Sequence, residues 1–523
     1  METRIAANNI VLPTRYAFRW VGLVFIGIAL LTVSFDNTIL NIALPTLSRE
    51  LHASTEQLQW VTDAYTLVFA SLLLISGAIS DRYGRRKILL TGLILFGIGS
   101  ATVIITASIN ALIVVRALLG IAGSLIMPAT LSIINVTFTK EERPKAIATW
   151  SLIFAVGMLL GPVLCGLLLR YFSWHVLFLI NVPIAAISFW GCARYLDESR
   201  DESMPSIDAI GGMLSAAGLF AMIYGMIEAG TVRWSDPSVL ISFSISVAIL
   251  AIFALWEVNT PAPMLPMYLF KNMSFTGASL ALTLVMFSMA GGMFSLSQYM
   301  QTVLNYSALQ AGLSMMPLPI VIMIVTPLST RLMQRIGIKL SITIGLALVT
   351  ASLFYMSVFY TSHASYFLIV MGQILMASGM SIAMTAATNS IMGAIPPAKS
   401  GIGSAMNDTT RELGNALGVA LLGSLINSTY LAGVQNLKTL LPQLSSETVA
   451  SISSSIQTAH TVAQSLGGEA GALIIKLADQ AFVSGMNSAL AAGGIIMLCA
   501  CVFVYLTVPN QIQQTNVGKG YNV

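Results

Sequence analysis

The chain has 523 residues, 56% of them hydrophobic and only 9% charged, with a net charge of +4. Soluble domains carry about 25% charged residues. A mean hydropathy of +0.83 at this composition excludes a soluble globular enzyme, a disordered chain and a nucleic-acid binder.

A membrane-spanning helix takes about 20 apolar residues, and the chain is read as a series of them. The polar start, Met1 to Arg19, has Arg15 and Arg19 before the first apolar run and no small-residue cleavage site. That run is too long for a signal-peptide core, so it is expected to be a retained first span. Apolar runs fall at Trp20–Leu44, Leu58–Ile79, Ile88–Thr106, Ala111–Ile134, Ile147–Leu169, Val176–Tyr195 and Ile207–Ile227. They continue at Val239–Trp256, Phe275–Tyr299, Leu309–Thr330, Ile338–Tyr360, Tyr366–Thr388, Ile402–Leu425 and Phe482–Val508, fourteen spans in all. With both termini in the cytoplasm, 18 of the 25 lysines and arginines lie on the inner side, five on the outer side, and Arg116 and Arg411 within spans. That bias sets the expected orientation, a multi-pass protein of the cytoplasmic membrane.

The loop after span 2, Asp81-Arg-Tyr-Gly84-Arg-Arg-Lys87, recurs after span 10 as Gln334-Arg-Ile-Gly337-Ile-Lys339, offset by 253 residues. Repeated bundles are a common transporter plan, with the substrate site between them at the bilayer midplane. The expected organisation is a six-helix bundle over 1–195, two inserted helices over 196–257 and a second six-helix bundle over 258–523. The last part contains a Ser-, Gln- and Thr-rich outer loop, 426–481. Its Val462, Leu466, Leu473 and Leu477 suggest a short helix or hairpin over the outer mouth, with a passive loop as the alternative.

Ionisable groups within spans are costly and therefore functional candidates. Asp36 lies in span 1, Asp63 early in span 2 and Arg116 in span 4. Asp408, Arg411 and Glu412 share a face of span 13, which Asn415 extends. An acid held there can take a proton or attract a cation, and it can equally serve a structural pair. Glu228 and Glu257 lie near helix ends and are read as solvated. Met286, Met289 and Met293 form one stripe on span 9, with Phe287, Phe294 and Gln298 nearby. Methionine suits a site for varied apolar shapes, and the stripe fits ordinary packing too. Cys165, Cys192, Cys499 and Cys501 lie in apolar runs, and the four histidines show no metal-ligand spacing. The sequence has no G-x-x-x-x-G-K-[ST] phosphate loop, so either an ion gradient supplies the energy or transport is passive, without nucleotide, metal or other cofactor.

Five segments carry a family resemblance. They are Gly77-Ala-Ile-Ser-Asp81-Arg82-Tyr-Gly84-Arg85-Arg86-Lys87, Phe35-Asp36-Asn-Thr-Ile-Leu-Asn41-Ile-Ala-Leu-Pro45, Arg116-Ala-Leu-Leu-Gly120, Gly157-Met-Leu-Leu-Gly161-Pro162-Val-Leu-Cys-Gly166 and Asn407-Asp408-Thr-Thr-Arg411-Glu412-Leu-Gly414. In this order they resemble the fourteen-span drug:proton antiporter branch of the major facilitator superfamily, and within it the exporters of quaternary ammonium compounds and cationic dyes. The resemblance implies an all-α fold of two six-helix bundles plus two inserted helices. It implies a functional monomer, not an enzyme, that exchanges protons for small lipophilic cations. Asp36 would be the cation and proton site, supported by Asp63, with Arg116, Asp408 and Glu412 in coupling. Met286, Met289, Met293, Phe294 and Gln298 are candidate substrate contacts. Gly157, Gly161 and Gly166 would allow close packing of span 5, and Pro162 would bend it. The Gly77, Asp81, Arg82, Gly84 and Arg85 loop, with Arg411, would control conformation. Asp81, helped by Arg85, is expected to meet the N-terminus of span 13 near Gly401 and Gly403 when the inner side is closed. Some relatives carry an extra acid in span 10, which this chain lacks, so a preference for divalent cations is not carried over. An exporter of one metabolite, antibiotic or lipid on the same fold is the alternative.

Overall fold

The computed structural model describes residues 16–51, 55–106, 108–201, 208–231, 234–261, 263–435, 437–442 and 444–509. Both termini lie outside the described residues, as do the side chains of Pro162 and Gly166.

The long helices are α1 (Arg19–Leu51), α2 (Thr55–Tyr83), α3 (Arg85–Thr102), α4 (Ile109–Thr137), α5 (Arg143–Tyr171), α6 (Asn181–Tyr195) and α7 (Ala209–Thr231). They continue as α8 (Pro237–Asn259), α9 (Met273–Gln298), α10 (Pro317–Ile336), α11 (Ile338–Phe359), α12 (Tyr366–Ala394), α13 (Ser400–Val434) and α14 (Gly468–Thr507). Thirteen helical segments among the described residues are long and apolar enough to cross a membrane. The 29-residue α5 is a further long helix between them.

Buried apolar side chains form two main clusters. One runs mostly from Leu23 to Leu196, and the other mostly from Met264 to Val508. α7 packs on α8 and α2. The outer face of α8 leaves Leu240, Ile241, Val247, Ile252 and Leu255 exposed, a surface that hydrocarbon satisfies and water does not.

The repeated loops have a shared geometric cause. Gly84 joins α2 to α3 with φ 112°, and Gly337 joins α10 to α11 with φ 84°. Those are left-handed conformations that glycine adopts without strain. Glu198 caps the first of these turns by accepting from the backbone N–H groups of Arg86 at 3.1 Å and Lys87 at 3.0 Å. At the start of α1, Arg19 donates to Glu142 at 3.0 and 2.6 Å, and this hydrogen bond holds the Glu142 carboxyl below the usual range.

The outer loop is shorter and more ordered than the sequence suggests. α13 continues to Val434 and α14 begins at Gly468, so Leu473 and Leu477 belong to α14. Between them, Leu437–Leu440, Ser446–Ser454 and Ile456–Leu466 are short helices. They are held by Tyr430 donating to the Ile452 carbonyl at 2.8 Å and by His460 Nε2 against Asp479 at 2.7 Å.

Backbone-to-backbone approach sets the α9–α13 contact. A methyl group on Gly414 would overlap the Thr283 carbonyl oxygen, and one on Gly418 would overlap that of Phe287. Neither neighbour is a flexible side-chain end, so the helices themselves would have to separate. Gly418→Val is expected to destabilise the protein by about 1–3 kcal/mol, read as a lowered thermal midpoint in detergent. On the same helix, a methyl on Gly423 would meet only the Phe294 ring, at 3.6 Å, so Gly423→Ala should leave the midpoint unchanged. Equal midpoints for both variants would contradict the tight contact.

Candidate functional site

The site is a chain of charges across the interface between the bundles. On α1, Asp36 forms an ion pair with Arg116 of α4, and both are almost fully buried. Arg116 also donates through Nε to the Val61 carbonyl of α2 at 2.9 Å. Its guanidinium lies 4.4 Å above the Tyr65 ring, so a carbonyl, a carboxylate and an aromatic face surround this cation in a low-dielectric setting. Asp36 also borders a cavity of about 10 Å3 with Leu40, Ala43, Leu177 and Phe178, close to the space one water needs.

Tyr65 connects the two sides. It feels the charges of Asp36, Arg116 and, from α13, Glu412. Its buried hydroxyl has no hydrogen-bond partner. On α13, Asp408 accepts from Asn407 at 3.2 Å and meets Arg411 only loosely, at 3.8 Å. Asp408 Oδ2 and one Arg411 nitrogen lack hydrogen-bond partners. Arg411 instead lies 4.8 Å from the Phe154 ring and 5.6 Å from that of Trp150, both on α5. Glu412 is half-buried.

Next to Arg411, an inter-bundle cavity has about 40 Å3 of room for water-sized molecules. α5 contributes Ser151, Phe154 and Ala155, α9 contributes Met286 and Met289, and α12 contributes Met380, Ser381, Met384 and Thr385. Ile322 and Thr326 of α10 complete the wall. The methionine stripe thus reaches the cavity with two of its three members. Met293 packs against the core of the second bundle. Phe294 is exposed, and Gln298 accepts from Gln457 of the outer short helix at 3.2 Å. Asp63 does not join Asp36. Val61 and Tyr65 face Arg116, which turns the residue midway between them toward α7 instead. Close packing of α5 is against α1, where a methyl on Gly157 would crowd Ser34.

A second charged centre lies where the α2–α3 turn meets the start of α13. Asp81 accepts from the backbone N–H groups of Gly401 at 2.7 Å and Ile402 at 3.1 Å. It also accepts from Arg85 at 2.9 and 2.6 Å. The same guanidinium donates to the carbonyls of Pro397 at 3.1 Å and Ala398 at 2.6 Å. A helix N-terminus presents unpaired donors and a positive dipole end, so a carboxylate fits it. Asn135 of α4 adds a bond to Ser400 at 2.7 Å. Gly77 and Gly401 are in backbone contact, and a methyl on either would overlap the carbonyl of the other. Arg82 is half-buried beside this clasp and makes no hydrogen bond or ion pair among the described residues.

Several participants are invisible to a search for charges in apolar runs. Tyr65, Trp150 and Phe154 look like ordinary core aromatics, and Asn135 like a helix-end polar residue. Glu257, at the end of α8, is not solvated as its position suggests but 2% exposed. Its Oε2 accepts from Leu265 N at 3.1 Å, and its Oε1 has no partner. Nearby, Asp208 accepts from Trp256 and from Gly211 N. Lys399 feels Asp201, Glu257 and Asp81 together, so the inner ends of α7 and α8 belong electrostatically to the clasp.

Two helical bundles enclosing a buried charge chain and an inter-bundle cavity define a membrane transporter. The family model of the Major Facilitator Superfamily matches residues 26–419, and the chain belongs to that superfamily. It is 32% identical over 493 residues to the multidrug efflux pump LfrA of Mycolicibacterium smegmatis, covering 94% of this chain and 96% of that one. It is 31% identical over 494 residues to the methyl viologen resistance protein SmvA of Salmonella typhimurium, covering 94% and 98%. Among solved structures, the human organic anion transporter MFSD10 superposes with a TM-score of 0.62 at 12% identity, covering 94% of this chain and 100% of that one. That likeness concerns the fold.

The clasp predicts a steric test. A methyl on Gly401 would overlap the Gly77 carbonyl and lie 2.7 Å from the Asp81 carboxyl, so Gly401→Ala should separate α2 from α13. Nitroxide labels at Tyr83 and Ala398 should report a longer distance by pulsed electron resonance. A methyl on Gly403 would meet only the end of the Ile395 side chain, at 2.6 Å, so Gly403→Ala should leave that distance near wild type. An unchanged distance in Gly401→Ala would rule out the clasp as the element holding these ends together.

Proposed function

We propose that the chain is a proton-coupled multidrug efflux antiporter that exports small lipophilic, cationic compounds across the cytoplasmic membrane. One observation carries this reading. Among the described residues, Asp36, Asp408 and Glu412 face two cations, Arg116 and Arg411, across the bundle interface. An uncompensated buried carboxylate costs several kcal/mol. The third acid is therefore neutralised either by a proton or by a cationic substrate. Mutually exclusive neutralisers at one site are the requirement of antiport. Asp408 suits the exchange because its ion pair is long and one of its oxygens is unpartnered. Asp36, held by Arg116, sets the charge balance that the exchange must respect.

The cavity supports a varied apolar cargo. Its methionines and Phe154 adapt to different shapes, and Arg411 repels a cation unless an acid beside it is ionised. The efflux and resistance proteins to which the chain is similar support the same class. The proton gradient supplies the energy, since each charge crossing the membrane gains about 2.3 kcal/mol per 100 mV. The clasp at Asp81 stabilises the state closed to the cytoplasm, and both termini lie on that side. The working unit is the monomer.

Efflux of a cationic dye from cells should collapse when a protonophore dissipates the gradient while ATP is maintained. Continued uphill efflux under those conditions would exclude proton coupling. Asp36→Asn should abolish uphill transport at normal membrane levels, and Asp36→Glu should retain part of it. Wild-type resistance in cells carrying Asp36→Asn would remove that residue from the mechanism. Asp81→Asn should slow transport several-fold, since one such contact contributes on the order of 1 kcal/mol, while dye affinity in detergent stays near wild type. A large loss of affinity with an unchanged conformational distribution would make Asp81 a binding residue instead of a gate.

A further inference from the structure

A second cavity lies away from the bundle interface, between α2 and α7. It has about 250 Å3 of room for water-sized molecules, against about 40 Å3 in the central one. α2 presents Trp60, Asp63 and Leu67, and α7 presents Tyr224, Ile227 and Glu228. Each set falls at helical spacing, so two facing stripes form the walls. The Trp60 and Tyr224 rings are stacked, with centroids 6.4 Å apart at 29°. Asp63 makes no hydrogen bond or ion pair among the described residues. Trp60 is 38% exposed, so the cavity can be reached from outside the bundle. It sits near the start of α2 and the end of α7, opposite the Asp81 clasp.

We propose that this cavity is a second, peripheral binding site for a lipophilic aromatic cation, with Trp60 and Tyr224 as π faces and Asp63 as the counter-charge. Aromatic faces attract cations through their negative quadrupole, and a nearby carboxylate adds Coulomb attraction in a setting drier than water. The apolar sides of Leu67 and Ile227 suit the rest of such a ligand. Asp63 is turned away from Arg116, so no guanidinium of the central site competes for it. The helix that supplies Tyr224 and Glu228 belongs to the α7–α8 pair, which gives that pair a ligand-binding role. The site rests on the reading of the cargo as a lipophilic cation, and it is distinct in place from the central cavity.

Binding of tetraphenylphosphonium to the full chain in lipid nanodiscs, corrected with empty nanodiscs, tests it. Wild type should show two classes of site. Trp60→Ala and Tyr224→Ala should each remove one class and keep the other, and the retained class reports that the variants fold. Asp63→Asn should weaken the same class about ten-fold, and the isosteric anion tetraphenylborate should not occupy it. Met289→Trp, which fills the central cavity, should remove the other class and spare this one. If tetraphenylphosphonium binding is unchanged in Trp60→Ala and Tyr224→Ala, the peripheral site is overturned. If those variants lose a class but Met289→Trp loses none, the peripheral site stands and the central reading fails.

Discussion

The carboxylate of Asp81 is the centre of the contact through which the two bundles meet at one end. Asp81 accepts two backbone N–H groups of α13 and the Arg85 guanidinium, with no exposure to water. These donors complete the coordination of the acid, so the closed arrangement leaves no charge unmet. The same groups are well hydrated once the helices part, because the N-terminus of α13, Asp81 and Arg85 all regain solvent. Desolvation therefore offsets much of the attraction. The result is a contact strong enough to bias an equilibrium and weak enough to open, as the proposed gate requires. The glycines at 77 and 401 make the approach possible, and the Lys399 charge is attracted by both Glu257 and Asp81.

That clasp positions α13, and α13 carries the other chemistry. Asp408, Arg411 and Glu412 lie two to three turns beyond Ser400, on the helix whose first turn Asp81 holds. On the proposed mechanism, movement at the gate would therefore be transmitted along a rigid helix to the central acids. The tight contact of Gly414 and Gly418 with α9 leaves that helix little freedom to slide independently, so α9 and its methionines move with it. If the Asp81 contact opens as proposed, the reshaping of the cavity would be part of the same displacement.

Much of this was legible in the sequence, and the limits have physical causes. Hydropathy marked the helices because backbone satisfaction in hydrocarbon demands long apolar runs. The charged residues within those runs pointed to Asp36, Arg116, Asp408, Arg411 and Glu412, and dipole reasoning placed Asp81 against α13. What pattern reading cannot supply is the rotation of a helix about its own axis in the bundle. Asp63 and Tyr65 are two residues apart, and only packing decides that Tyr65 faces Arg116 while Asp63 faces α7. Glu257 departs from its expected solvated position for a related reason. A helix end is usually wet, but here the chain after α8 folds back so that Leu265 N covers the carboxylate. Gln298 and Phe294 follow the methionine stripe in sequence but have left the cavity by the last turns of α9, where the helix passes into the π-helical turn Tyr299–Val303.

The repeat shows why one gate carries the charge. Both halves keep the glycine turn, at Gly84 and Gly337, because the backbone conformation is needed to reverse the chain there. At the offset of 253 residues, Asp81 corresponds to Gln334 and Arg85 to Ile338. The second half retains the bend and loses both members of the clasp. Symmetric clasps would double the stabilisation of the closed end, and the opposing state would have to overcome both. With one acid, the bias comes from a single clasp, in which one such charge-assisted contact contributes on the order of 1 kcal/mol. On the proposed mechanism, proton or substrate exchange at α13 would then overcome it, because neutralising a buried carboxylate changes the energy by several times that amount.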